Sequence, residues 1–162
     1  MKFRHAIAIA CAGLASACSV PAAVEPEAAL PPLALQQDKP AVALLEHLLT
    51  RYFAADLSAR PTVCVALHDG RSAEAVPQAD EVALIARFDQ LAPLSRCTQD
   101  GAAWKDAETG EPGMLFEVVS LSCASATLCN ARAGYIAGPG ASDHANYSME
   151  FDGRWKITQA RQ

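Results

Sequence analysis

The chain has no apolar run long enough to cross a bilayer. A spanning helix needs about 20 predominantly apolar residues, whereas the first such run extends only from Ala6 to about Leu14, with Pro21 close behind. Clustered basic residues are missing as well. Lys and Arg number 13 against 18 Asp and Glu, a net charge of −5, and beyond the first few residues the cations are scattered singly. Phosphate neutralisation requires grouped Lys and Arg, so the composition argues against nucleic acid as a partner and equally against an anionic membrane surface. Closely spaced metal ligands are also absent. Zinc sites use C-x2-4-C pairs, but five residues separate Cys123 from Cys129, more than thirty separate Cys64 from Cys97, and the only late histidine is His144. No metal or other cofactor is expected.

What is present begins with Lys2 and Arg4, the short apolar run and the closing stretch Leu14-Ala15-Ser16-Ala17-Cys18. A positive start, an apolar core and a small-residue exit are the parts of a secretory signal. With Cys18 directly after the small residues, the segment resembles a bacterial lipoprotein signal. That resemblance implies a signal peptide over residues 1–17, lipidation of Cys18 and attachment to a membrane through the lipid. Ser19 resembles the sorting signal of lipoproteins in Gram-negative bacteria, so the expected location is the periplasm or outer membrane. Cleavage after Ala22 is the alternative. Loss of Lys2 and Arg4 leaves 11 basic residues against 18 acidic ones, or −7.

Cysteine parity bears on the cleavage site. Of six cysteines, Cys11 lies within the leader and Cys18 at its end, which leaves Cys64, Cys97, Cys123 and Cys129. Lipidation at Cys18 or cleavage after Ala22 leaves no unpaired thiol, whereas ordinary cleavage after Ala17 would leave an exposed free one. Export places the chain where disulfides persist, so two bridges are expected. Of three possible connectivities, the expected one joins Cys123 to Cys129 at a hairpin end and Cys64 to Cys97 between an early strand and the loop after the second helix.

Residues 18–39 carry Pro21, Pro26, Pro31 and Pro32 among alanines and read as a tether. At about 3.1 Å per residue it would reach ~60 Å. A single domain over 40–162 follows, in keeping with the length. Asp38 is the expected N-cap of its first helix, with Pro40 in the first turn. Leu44, Leu45, Leu48, Leu49, Tyr52 and Phe53 recur at steps of three and four. Thr62 to Leu67 reads as a strand with Cys64 facing away from Val63, Val65 and Leu67. A second helix is expected from about Pro77 to Leu91. Trp104–Ala107, Leu115–Cys123, Cys129–Ala137, Ala145–Phe151 and Trp155–Gln159, separated by turn-rich pieces, read as an antiparallel meander. The fold class is therefore α+β: two helices packed on a curved antiparallel sheet of four to five strands.

The last hairpin admits a register test. A two-residue Asp152-Gly153 turn would set apolar against charged residues. A three-residue loop over Phe151-Asp152-Gly153, with Gly153 left-handed, sets Glu150 opposite Arg154, Met149 opposite Trp155 and Tyr147 opposite Ile157, and buries Trp155. The run Tyr147-x-Met149-x-Phe151-Asp152-Gly153-Arg154-Trp155-Lys156-Ile157 resembles the last hairpin of nuclear-transport-factor-2-like cone folds. That resemblance implies a fold that houses both small-molecule enzymes and non-catalytic binding modules, and it assigns no catalytic residue.

Three groups carry possible chemistry. Ser142-Asp143-His144 holds the residue types of a hydrolase triad, but strand neighbours point to opposite faces, while a triad places its histidine between nucleophile and carboxylate; the segment reads as a polar hairpin loop shaped by Pro139 and its flanking Gly138 and Gly140. His68-Asp69-Gly70 reads as a strand end and a turn. Glu117 interrupts the apolar run Met114-Leu115-Phe116-Glu117-Val118-Val119. With Leu115, Val119 and Leu121 expected on its face, it is either an inward carboxylate suited to proton transfer or a solvated or Arg-paired strand residue. Asn146-Tyr147-Ser148 matches a glycosylation sequon, which a bacterial lipoprotein would not use. No residue is assigned as catalytic, and Glu117 is the one pocket candidate.

Three function classes fit. The first is a non-catalytic exported domain, lipid-anchored in a bacterial envelope, that binds an envelope protein or small ligand. The second is a small enzyme or ligand carrier using the concave sheet face, with Glu117 and Tyr135 or Tyr147 lining it. The third is a structural or inhibitory envelope protein acting through its surface, for which a flat apolar patch is the sign.

Overall fold

The computed structural model describes residues 30–57, 59–138 and 141–160. The expected signal peptide, Cys18, the first part of the tether, Pro139 and Gly140 lie outside the described residues. Helix α1 (Pro40–Phe53) follows from its leucine repeat: Leu44, Leu45 and Leu49 are fully buried, with Val42, Ala43 and Leu48 beside them. Burying each leucine contributes about 1.5–3 kcal/mol, which outweighs the lack of a side-chain cap. Lys39 rather than Asp38 occupies the cap position, without a capping bond. Its ammonium instead reaches Asp80 Oδ1 at 2.6 Å, at the start of helix α2 (Gln78–Ile85). That helix is shorter than expected. Its anticipated last residue, Leu91, leaves the helical path to bridge Val63, and Ala92 N–H bonds Val63 O at 2.8 Å.

The strands are β1 (Thr62–His68), β2 (Ala73–Glu74), β3 (Cys97–Asp100), β4 (Ala103–Asp106), β5 (Pro112–Ser125), β6 (Leu128–Gly138), β7 (Ala141–Phe151) and β8 (Trp155–Gln159). They form one eight-stranded sheet ordered β2-β1-β5-β6-β7-β8, with β4 paired to β5 and β3 to β4. The sheet is mostly antiparallel and larger than the four to five strands expected. Two of the additional strands, β2 and β3, lack apolar alternation. The strand expected at Thr62 to Leu67, β1, joins the same sheet as a parallel partner of β5, Cys64 opposite Leu115 and Leu67 opposite Val118, through a connection that contains α2.

The sheet has two unlike faces. On one, Val63, Val65, Phe116, Val118, Ala133, Tyr147 and Met149 form the main core together with the buried leucines of α1. On the other, alternation places Cys64, Ala66 and Leu115 against Ala92, Cys97 and Trp104 in a smaller apolar cluster. Both expected bridges are present. Cys64–Cys97 ties β1 to the start of β3, and Cys123–Cys129 joins directly opposed residues of β5 and β6.

Residues at the end of the expected tether belong to the packed domain. Leu33 is buried, the Glu46 carboxylate accepts from Leu33 N–H and Ala34 N–H, and Trp155 Nε1–H donates to Gln36 O at 3.0 Å. In the last hairpin Gly153 is left-handed (φ +71°) and the loop holds three residues, as expected, but these are Asp152–Arg154. Phe151 thereby pairs with Trp155, Glu150 with Lys156 and Met149 with Ile157. This register keeps the apolar face and places opposite charges across the strands. The rings of Phe151 and Trp155 meet edge to face at 5.4 Å.

Candidate functional site

Alternation along β5 sends Phe116 and Val118 toward α1 and Glu117 to the opposite face, beside Leu115. A bulge between Val118 and Ser120 then shifts the phase, so Ser120 rather than Leu121 shares the Glu117 face. Glu117 is only 3% exposed. Burying a carboxylate among apolar neighbours is costly unless it is partnered, and two imidazoles partner it. His144 Nε2 lies 2.8 Å from Oε1 in an aligned hydrogen bond. His68 Nε2 lies 2.8 Å from Oε2, but without hydrogen-bond alignment, so Oε2 has no well-directed donor.

The backbone explains the convergence. His68 ends β1, and parallel pairing sets Ala66 opposite Glu117, which brings His68 one step beyond it on the same face. On the other side Glu117 pairs with Gly134 of β6, and Gly134 pairs with His144 of β7. Having no side chain, Gly134 leaves the line between carboxylate and imidazole open. The rings are partly accessible, with side-chain exposures of 24% for His68 and 15% for His144. Among the described residues, no group of three or more His, Cys, Asp or Glu is disposed to hold a metal ion.

The triad reading of Ser142-Asp143-His144 divides across the sheet. Ser142 and His144 share the Glu117 face, while Asp143 lines a cleft on the α1 side. That cleft, about 270 Å3, is built from Leu48, Arg51 and Tyr52 of α1, Phe116 of β5, Tyr135 of β6 and Tyr147 of β7. Phe116 is its aromatic floor, 5.2 Å from the Tyr52 ring and 5.7 Å from that of Tyr135. Burial raises the Tyr52 phenol above its ordinary pKa against the opposing charge of Arg60, and its hydroxyl has no hydrogen-bond partner. Burial likewise raises Tyr147, offset by Arg51 and reinforced by Asp143. His47, edge-on to Tyr147 at 6.4 Å, is lowered by burial and then by Arg51.

Tyr135 and Tyr147 therefore line a cleft on the α1 side, and Glu117 lies on the other face, where it meets His68 and His144. Arg51, Tyr52, Phe116 and Gly134 complete these two faces without being singled out as site residues by the sequence; the helical repeat places Tyr52 on the core side and Arg51 on the polar side. Comparison with protein-family models, curated proteins and solved structures finds no match to this chain.

Proposed function

We propose that this is an exported bacterial envelope protein, lipid-anchored at Cys18, whose domain binds a small ligand in the cleft between α1 and the sheet. The observation that carries the binding reading is the buried, unpartnered Tyr52 hydroxyl beside an aromatic floor. A buried polar group is ordinarily satisfied, and a small planar molecule with a polar edge would bond Tyr52 while covering Phe116. Mostly apolar walls with a few convergent polar groups are typical of ligand sites. The resemblance of the last hairpin to nuclear-transport-factor-2-like folds, which house binding modules as well as enzymes, is compatible with such a role. The address rests on the leader, and the two disulfides are compatible with it. No helix among the described residues is long and apolar enough to cross a membrane, so attachment would come from the lipid.

Binding is tested by titrating the protein with small planar aromatic fragments such as 4-hydroxybenzamide, followed by NMR. Shifts confined to Tyr52, Phe116, Tyr135 and Tyr147, and weakened in Tyr52→Phe, are expected; the absence of perturbation there contradicts the reading. The address is tested by the intact mass of envelope-extracted protein, which reports acyl mass on Cys18 and two hydrogens lost per disulfide. A mature N-terminus beyond Cys18 excludes the anchor.

A further inference from the structure

The group on the sheet face opposite the cleft has the elements of an acid–base site. An apolar residue at position 117 would extend the Cys64, Ala66 and Leu115 cluster at no desolvation cost, yet a carboxylate is buried there between two imidazoles. A carboxylate can only accept, so Glu117 holds a neutral His144 ring with its proton on Nε2 and Nδ1 as the acceptor, the arrangement a general base requires. His68, against the second carboxylate oxygen, restrains Glu117 from turning away. The carboxylate is sealed while His144 keeps contact with solvent.

The surroundings on this face point to a substrate. Arg132 lies two residues before Gly134 on β6 and is directly opposite Asn146, which lies two residues beyond His144 on β7. Both are exposed, and Arg132 makes no ion pair among the described residues. A guanidinium and an amide thus stand in the same-face row next to His144, the first suited to a carboxylate and the second to a carbonyl oxygen. We propose that His144, positioned by Glu117 and His68, is a general base that activates water for hydrolysis of a carboxylic ester bearing a negative charge on its acyl part.

In the step, Nδ1 takes a proton from water as the water oxygen bonds to the acyl carbon. The tetrahedral intermediate then collapses, the acyl C–O bond breaks, and the departing alkoxide takes the proton back from the imidazole. The products are an acid and an alcohol. Water is the nucleophile because no hydroxyl is hydrogen-bonded to His144 among the described residues.

The test follows nitrophenolate release from p-nitrophenyl hemisuccinate and from p-nitrophenyl acetate by the full chain. The native protein is expected to exceed free imidazole at equal concentration on both esters, and to favour the hemisuccinate. His144→Gln and Glu117→Gln should each lower kcat by about 10²-fold, Glu117→Gln with KM unchanged. Arg132→Gln should raise KM for the hemisuccinate alone. Because Glu117→Gln could fail to fold, the native protein is also compared with His144→Gln alone. Equal rates for those two, or a native rate no greater than that of imidazole, would overturn the proposal.

Discussion

Oε1 of Glu117 and Nε2 of His144 stand 2.8 Å apart although an entire strand lies between their backbones. The residue between them is Gly134, and the approach depends on it for two reasons. A side chain there would block the line between carboxylate and ring. The backbone of β7 also passes so close that a Cβ on Gly134 would sit 1.9 Å from Asp143 O and 2.7 Å from His144 Cα.

Gly134→Ala therefore forces β6 and β7 apart. Overpacking of this kind typically costs about 1–3 kcal/mol, and the clash here is with backbone, which cannot rotate away. A lower urea midpoint with an unchanged m-value is expected, together with loss of the His144–Glu117 hydrogen bond. A variant as stable as the native protein would show that β7 can withdraw freely.

The two disulfides should contribute unequally. Cys64–Cys97 closes a separation of 33 residues and Cys123–Cys129 one of 6. Loop-closure entropy assigns them about 4 and about 2 kcal/mol respectively. Cys64 is fully buried and Cys123 exposed, which widens the difference. Replacing each pair by alanine and comparing denaturation midpoints checks the order.

Asp106, buried at the end of β4, accepts from Thr62 Oγ1 at 2.6 Å and from Arg96 Nε at 3.0 Å, besides the backbone N–H groups of Glu108 and Thr109. Arg96 first, then Thr62, hold its carboxyl well below the usual carboxylate range. Its stabilising contribution is therefore fully present above the ordinary aspartate value of about 3.9 and is lost as the pH falls toward the folded-state value. Asp106→Asn should be less stable than the native protein at pH 7 and should lose less stability on acidification below about pH 4. Parallel acid-stability curves for the two proteins would contradict this.

Trp155 joins the last strand to the segment ahead of α1 through its indole N–H and Gln36 O. Trp155→Phe keeps the edge-to-face contact with Phe151 and removes that bond, at a cost of about 1 kcal/mol. The expected result is a slightly lower urea midpoint and faster proteolysis near Gln36, with the remainder of the fold retained.

The legible parts of the fold were those with local periodicity. The leucines of α1 and the alternation of β5 to β8 identified those elements, and the face of Trp155 was evident even though its partner across the hairpin is Phe151. The missed parts depend on distant pairing. Cys97–Asp100 has little apolar alternation, Leu91 is drawn off α2 by Val63, and the parallel β1–β5 pairing leaves no local trace. The site divides in the same way. Glu117 is visible as a charge within an apolar run, while His68 and His144 read as a strand end and a loop residue. Their meeting depends on three registers together, and a residue with no side chain, Gly134, is the hinge of that geometry.

The shared carboxylate is tested most directly by long-range 1H–15N NMR of the histidine rings at pH 8. His144 is expected in a single Nε2–H tautomer with a slowly exchanging ring proton, converting to a rapidly exchanging mixture in Glu117→Ala. A native His144 ring already averaged between tautomers, with a spectrum unmoved by Glu117→Ala, would contradict it.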